Sequence, residues 1–153
     1  MTVPSEFLEM AHAYRLLSEL NPEQLRKLVP LAQEKTFEEG ALIFAEGEQS
    51  SFLHLITSGE VALETTVGGA CVRVQTLGRG EPIGWSALTS AARTHFQARA
   101  LTAVSTIALP GARIREACDR DPALGYELMK RLVELVTERL DMTRLRIVSN
   151  GTL

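Results

Sequence analysis

Val61-Ala62-Leu63-Glu64-Thr65-Thr66-Val67-Gly68-Gly69-Ala70-Cys71-Val72-Arg73-Val74-Gln75-Thr76-Leu77 is the stretch whose reading decides the fold. Val61, Leu63 and Thr65 alternate with Ala62 and Glu64, the period of two that gives a strand one apolar and one polar face. Gly68-Gly69 lies between two such runs, and a glycine pair suits a two-residue hairpin turn. The stretch therefore reads as two antiparallel strands. The same texture extends on both sides. From Gln33 to Leu109, glycines separate short runs rich in Val, Ile, Leu, Thr and Phe: Thr36-Phe37, Leu42 to Phe44, Phe52 to Thr57, Val61 to Val67, Cys71 to Leu77, His95 to Leu101 and Val104 to Leu109. Short strands at this spacing predict an antiparallel sandwich or barrel.

The flanks are helical. Phe7, Leu8, Ala11, Tyr14, Leu16 and Leu17 recur at three- and four-residue spacings, which predicts a helix over Ser5 to Leu20. Asn21, Pro22 and Gln24 form a cap, a first-position proline and a capping-box partner, and open a helix that stops near Pro30. After Pro110-Gly111, a short helix spans Arg113 to Cys118. Asp121-Pro122 then starts a long helix to about Ile147, roughly 39 Å at 1.5 Å per residue. Its apolar residues form two stripes: Leu124, Leu128, Leu132, Leu135 and Met142, and Met129, Val133, Val136, Leu140 and Ile147. One reading gives each stripe its own client, the domain core and a partner helix; the other merges them into one broad buried face. The architecture expected is α+β and mainly β. It is an antiparallel β-roll or jelly roll with N-terminal helices, a short helix inside the roll and a long C-terminal helix. Residues 1–153 are read as one domain, divided into 1–32, 33–110 and 111–148.

Composition narrows the function. A net charge of -3 over 153 residues gives no electrostatic case for a dedicated nucleic-acid or membrane-surface binder. No apolar run approaches the roughly 20 residues of a spanning helix, and the N-terminus lacks the pattern of a signal peptide. Cys71 and Cys118 have no metal-type spacing and read as free thiols of a reducing cytoplasm. No metal site is expected, and no paired-carboxylate or nucleophile–base set stands at a catalytic spacing, so the chain does not read as an enzyme.

Gly80-Glu81-Pro82-Ile83-Gly84-Trp85-Ser86-Ala87-Leu88, followed by Arg93-Thr94-His95-Phe96-Gln97-Ala98-Arg99-Ala100, has the grammar of a loop that closes over an anion. A glycine frees the backbone, a short helical turn begins near Ser86, and basic and hydroxyl side chains follow. The candidate ligand-binding residues are Gly84, Trp85, Ser86, Ala87, Arg93, Thr94 and His95.

Phe37 to Glu48 and Phe52 to Val61, read together with the glycines in their order, resemble the opening strands of cyclic nucleotide-binding domains. Those domains serve the bacterial catabolite activator and fumarate-nitrate regulator superfamily. The resemblance runs from about Tyr14 to Ile147, and Gly80 to Leu88 falls where that family keeps its phosphate-binding cassette. It implies a sensor that binds cAMP, cGMP or another anionic ligand. There a helix N-terminus and an arginine hold the phosphate, a glutamate accepts from the ribose, and the long helix carries the signal. In many relatives a DNA-reading domain follows that helix; this chain ends a few residues after Ile147, so DNA binding by it alone is not expected.

The departures are specific. Gly84, Ala87 and Leu88 match the cassette, but Trp85 occupies the glutamate position, and an indole N–H cannot accept a hydrogen bond. The arginine position falls on Thr94, with His95 following, or, shifted by one, on Arg93 with Thr94 following. Trp85 either stacks on a ligand or fills the pocket. Two functions remain open: a small-molecule sensor, or a ligand-independent dimerisation or protein-interaction module with a plugged pocket. Either one suits a homodimer through Leu128, Leu132, Leu135 and Val136.

Overall fold

The computed structural model describes residues 3–89, 93–94 and 96–149, and side chains within 7–89, 93–94 and 96–145. The elements are α1 (Val3–Met10), α2 (Pro22–Leu28), β1 (Gln33–Phe37), β2 (Leu42–Phe44), β3 (Phe52–Ser58), β4 (Val61–Val67), β5 (Ala70–Leu77), β6 (Pro82–Ile83), β7 (Gln97–Ala100), β8 (Val104–Pro110), α3 (Gly111–Arg120) and α4 (Pro122–Ser149). Single 3-10 turns occupy Ala11–Ala13, Val29–Leu31 and Trp85–Leu88.

Two antiparallel four-stranded sheets make the roll, ordered β1-β8-β3-β6 and β2-β7-β4-β5. The hairpin read from the sequence is present: Val67 pairs with Ala70 across Gly68-Gly69, and the ladder runs back to Val61 opposite Leu77. Ile56, Val61, Leu63, Leu77, Ile83, Ala98, Ala100 and Val104 fill the space between the sheets. A second core lies outside the first sheet, where Leu53, Leu55, Ile107 and Leu109 meet Phe7, Tyr14, Leu17, Leu28, Ile114, Leu124, Leu128 and Leu135 from the helices. This explains why β3 is buried from Leu53 to Ile56 without alternation: helices cover one face and the roll interior the other. His54, on the interior face, donates to or accepts from Thr106 Oγ1 at 3.0 Å. Burial, with the nearby charge of Lys35, pushes its pKa down to about 4.

The cap read at Asn21 is observed in full, with Gln24 N–H donating to Asn21 Oδ1 at 2.8 Å and Asn21 N–H donating to Gln24 Oε1 at 3.0 Å. The expected helix over Ser5 to Leu20 is shorter. It ends at Met10 and passes into a 3-10 turn. Arg15 N–H leaves the helical pattern to donate to Gly80 O at 3.2 Å, while Tyr14, Leu16 and Leu17 are buried from a series of turns. Leu128 and Leu135, expected to face a partner, lie in the chain's own core, and Leu132 packs against it; of that set Val136 is exposed. The outward stripe of α4 is Met129, Val133, Val136 and Leu140, while Ile147 lies beyond the described side chains. Among the described residues no helix is long and apolar enough to cross a membrane.

Candidate functional site

β6 is a two-residue strand that the sequence reading missed. It pairs Ile83 with His54 and Pro82 with Leu55, and so pins the chain to the edge of the first sheet just before Gly84. Gly84 then turns with φ 77°, and an added Cβ would stand 2.7 Å from Phe52 O. Both facts demand glycine at this position. Ala87 N–H donates to Gly84 O at 3.1 Å and closes the short turn expected near Ser86. Ala87 and Leu88 are buried and anchor it.

The far side of this turn rests on α3. Gly111 packs so closely that a Cβ there would lie 2.2 Å from Ala87 O, and Arg115 Nη1 donates to the same carbonyl at 2.6 Å. Ser86 Oγ shares a hydrogen bond with Ser50 Oγ. Gly84, Trp85, Ser86 and Thr94 line one cavity of about 50 Å³, together with Phe44, Leu63, Ile83, Phe96 and Arg139.

Arg93 and Thr94 point to different places. Thr94 is buried beside the cavity, and its hydroxyl is engaged: Oγ1 donates to Ala45 O at 2.5 Å and accepts from Glu48 N–H at 3.1 Å. Arg93 is exposed and donates from Nη1 to Gly47 O at 2.9 Å, outside the lining of that cavity. His95 lies outside the described residues. Arg99, in the strand behind, is tied to Glu64 at 3.1 Å and to Gly40 O at 3.0 Å.

The cation at this site comes from elsewhere in the chain. Arg139 of α4 is 7% exposed, and its guanidinium carbon lies 4.4 Å from the centroid of the Trp85 ring, a cation–π contact. Its Nη2 donates to Pro82 O at 2.6 Å and to Glu81 Oε2 at 3.3 Å. Its Nε and Nη1 are buried without a hydrogen-bond partner among the described residues. Burial outweighs the nearby Glu81 carboxylate and lowers its pKa to about 10, so it remains charged at neutral pH. Glu81 also accepts from Arg15 Nη1 at 3.3 Å, and Arg15 forms a second ion pair with Glu138. These four charges join the turn after α1, the loop before β6 and α4.

The sequence reading did not place Arg139 at this site. A signal was present, because Leu128, Leu132, Leu135, Arg139 and Met142 follow alternating spacings of four and three. Arginine is seldom buried unless paired, so one that falls inside an apolar stripe stands out as a candidate for a paired, buried cation.

Comparisons with known proteins agree with this geometry. The family model for the cyclic nucleotide-binding domain matches residues 34–121. A search of the curated proteins gives no match. Among solved structures, a protein of Geobacter metallireducens GS-15 named for cyclic nucleotide binding is 30% identical, with 92% of this chain and 99% of that one covered and a TM-score of 0.78. A cyclic nucleotide-binding domain from Methylobacillus flagellatus KT superposes with a TM-score of 0.82 at 22% identity, over 96% of this chain and 83% of that one. The catabolite activator protein of Thermus thermophilus is 25% identical, with a TM-score of 0.71 over 90% of this chain and 63% of its own. With the two-sheet roll, the glycine-led turn after β6 and the long helix closing over it, this chain belongs to the cyclic nucleotide-binding domain family.

Proposed function

We propose that this chain is the sensing module of a cytoplasmic regulator rather than an enzyme. In this reading it takes an anionic small molecule at Gly84 to Ala87 and Thr94, under α4, and passes the signal through α4. One observation carries the reading: Arg139 belongs to α4 yet bonds Pro82 O, Glu81 and Trp85 at the turn. Ligand cavity and output helix thus share a residue. A ligand that enters beside Gly84 competes for those contacts, and so has different affinity for two placements of α4, which is the requirement for a switch.

The fit to a nucleotide is poor as the site stands. About 50 Å³ falls well short of the roughly 300 Å³ at which ligand pockets begin, so cAMP or cGMP would require Trp85 and Arg139 to move aside. Arg93 and His95 remain candidates for a rearranged site, as the resemblance implies. The test is calorimetric titration with cAMP, cGMP and inorganic phosphate, joined to hydrogen exchange along α4. Saturable binding that changes protection over residues 132–145 supports the sensor. Absence of binding and of any rise in Tm for every anion tried at millimolar concentration overturns it.

A second reading is favoured by the Trp85–Arg139 stack that fills the cavity and by the exposed face of Met129, Val133, Val136 and Leu140. It is a constitutive homodimerisation or protein-interaction module. It predicts a dimer whose association is indifferent to all of these anions.

A further inference from the structure

The arginine that plugs the small cavity is also the wall of a larger one. Leu63, Trp85, Phe96 and Arg139 line both the cavity at Gly84 and a second of about 190 Å³, which Val74, Gln75, Val136, Leu140 and Thr143 complete between the β4–β5 hairpin and α4. The polar groups of this second cavity are few. Gln75 Nε2 and Thr143 Oγ1 both donate to Arg139 O, at 3.1 and 2.9 Å, and so hold the backbone of α4 in place. Apart from Arg139 itself, the rest is aliphatic and aromatic.

Arg139 has an unmet requirement. Its Nη2 is answered by Pro82 O and Glu81, but Nε and Nη1 are buried with no partner among the described residues. A buried cation with unanswered N–H groups is costly, and an anionic oxygen is the group that answers them best. Glu81 already balances the charge of Arg139, so what is left to answer is the pair of N–H groups, a match for the two oxygens of one carboxylate. Arg15, the other cation of the cluster, already serves Glu81 and Glu138, so among the described residues the cluster offers no second free cation for a dianionic phosphate. A dry cavity of about 150 Å³ admits a benzene ring, and the space here is of that order.

We propose that the cleft between the β4–β5 hairpin and α4 binds a compact amphipathic carboxylic acid, its single ring or short branched body against Leu63, Val74, Phe96 and Leu140 and its carboxylate on Arg139, whose covered guanidinium turns towards the cleft to receive it. The proposal rests on the ligand-binding reading of the site and narrows it from anions in general to small apolar monocarboxylates.

Trp85 is the chain's single tryptophan, so its fluorescence reports on this cleft directly. The probe is 3-phenylpropionate titrated into the intact protein, against its neutral amide, with cAMP in a parallel arm. The acid is expected to give a saturable change at submillimolar concentration, with the amide at least tenfold weaker. Arg139→Met should abolish the response, Arg139→Lys should retain part of it, and the exposed Arg144→Gln should leave it unchanged. Circular dichroism of each variant checks its fold; the acid–amide comparison stands on the unaltered protein even where Arg139→Met fails to fold. Equal binding of acid and amide, or an undiminished response in a folded Arg139→Met, overturns the proposal. Binding of cAMP without the acid overturns it while leaving the sensor reading intact; binding of neither overturns it as well, and the sensor reading falls with it only where cGMP and inorganic phosphate also fail to bind.

Discussion

Acidification from pH 7.5 to pH 5 should destabilise this fold by about 2 kcal/mol through His54 alone. The imidazole is buried in β3 on the interior face of the roll, 5% exposed, with Phe37 and Phe52 beside it and Thr106 as its hydrogen-bond partner. Its pKa is lowered from 6.5 to about 4, chiefly by burial. Between these two values the unfolded chain binds more protons than the folded one, so stability increases with pH there. The contribution is fully present above pH 6.5 and is lost as pH falls towards 4. With those pKa values the loss is about 2 kcal/mol at pH 5 and about 3 kcal/mol at pH 4. The carboxylates held below their ordinary range by partners, Glu64, Asp121 and Glu138, start from 4.5, 3.8 and 4.5, so their share of acid destabilisation falls mainly below pH 5. The assay is urea unfolding followed by circular dichroism at pH 7.5, 6.5, 5.5 and 5.0, on the unaltered protein and on His54→Gln, which keeps a polar partner for Thr106 and stays neutral. For a slope near 2 kcal/mol/M, the midpoint of the unaltered protein should fall about 1 M further than that of the variant. Parallel midpoints across this range would refute the account of a buried neutral histidine.

Three other perturbations address the site and the long helix. Gly84→Ala forces a side chain into a left-handed backbone against Phe52 O and should cost about 1–3 kcal/mol, measured by thermal melting. Glu81→Gln removes one of the partners of a buried guanidinium; because the Glu81 side chain is partly exposed, the loss should be about 2 kcal/mol, or about 4–8 °C in Tm, with faster amide exchange over residues 135–145. Leu135→Ala should cost about 3 kcal/mol by opening the helical core, whereas Val133→Glu or Leu140→Glu should change stability by less than about 0.5 kcal/mol and convert a dimer to monomer in sedimentation. A dimer that survives both charged substitutions would exclude this face as its interface.

Legibility in the sequence followed the range of the forces involved. The Asn21 cap and the Gly68-Gly69 hairpin are settled by residues within four positions of one another, and both are present as read. β6 escaped because two residues carry no period; its existence depends on His54 and Leu55, far away in the chain. The first helix was read too long for a similar reason. Tyr14, Leu16 and Leu17 keep a helical spacing, but Gly80 O recruits the Arg15 amide and tertiary packing overrides the local pattern. The turn at Gly84 was legible as backbone, and the choice between Arg93 and Thr94 was not. Residues one apart on an extended segment face opposite ways, and a single offset decides which enters the cavity. On α4 the two stripes were separated as read except at Met142, which was placed with Leu124, Leu128 and Leu135 and is exposed. Which of them meets the core is fixed by how α4 lies against α3 and β3, so Leu128 and Leu135 were assigned to the wrong client.

The contact between Ala87 and Gly111 carries a mechanical consequence. At that point two backbones touch with no side chain between them. A side chain takes up small displacements by rotating about its bonds, whereas a peptide plane pressed against another has no such compliance. The turn at Gly84 is therefore joined to the helical pair by links of unequal stiffness. The link at Gly111 is rigid and fixes a distance; the link at Arg139 runs through a long side chain and is soft. A body held at one hard point and one yielding point swings instead of sliding. In the switch proposed above, motion of α4 driven from this turn would accordingly be a rotation pivoting near the start of α3, small near Pro122 and growing along the helix towards Leu145.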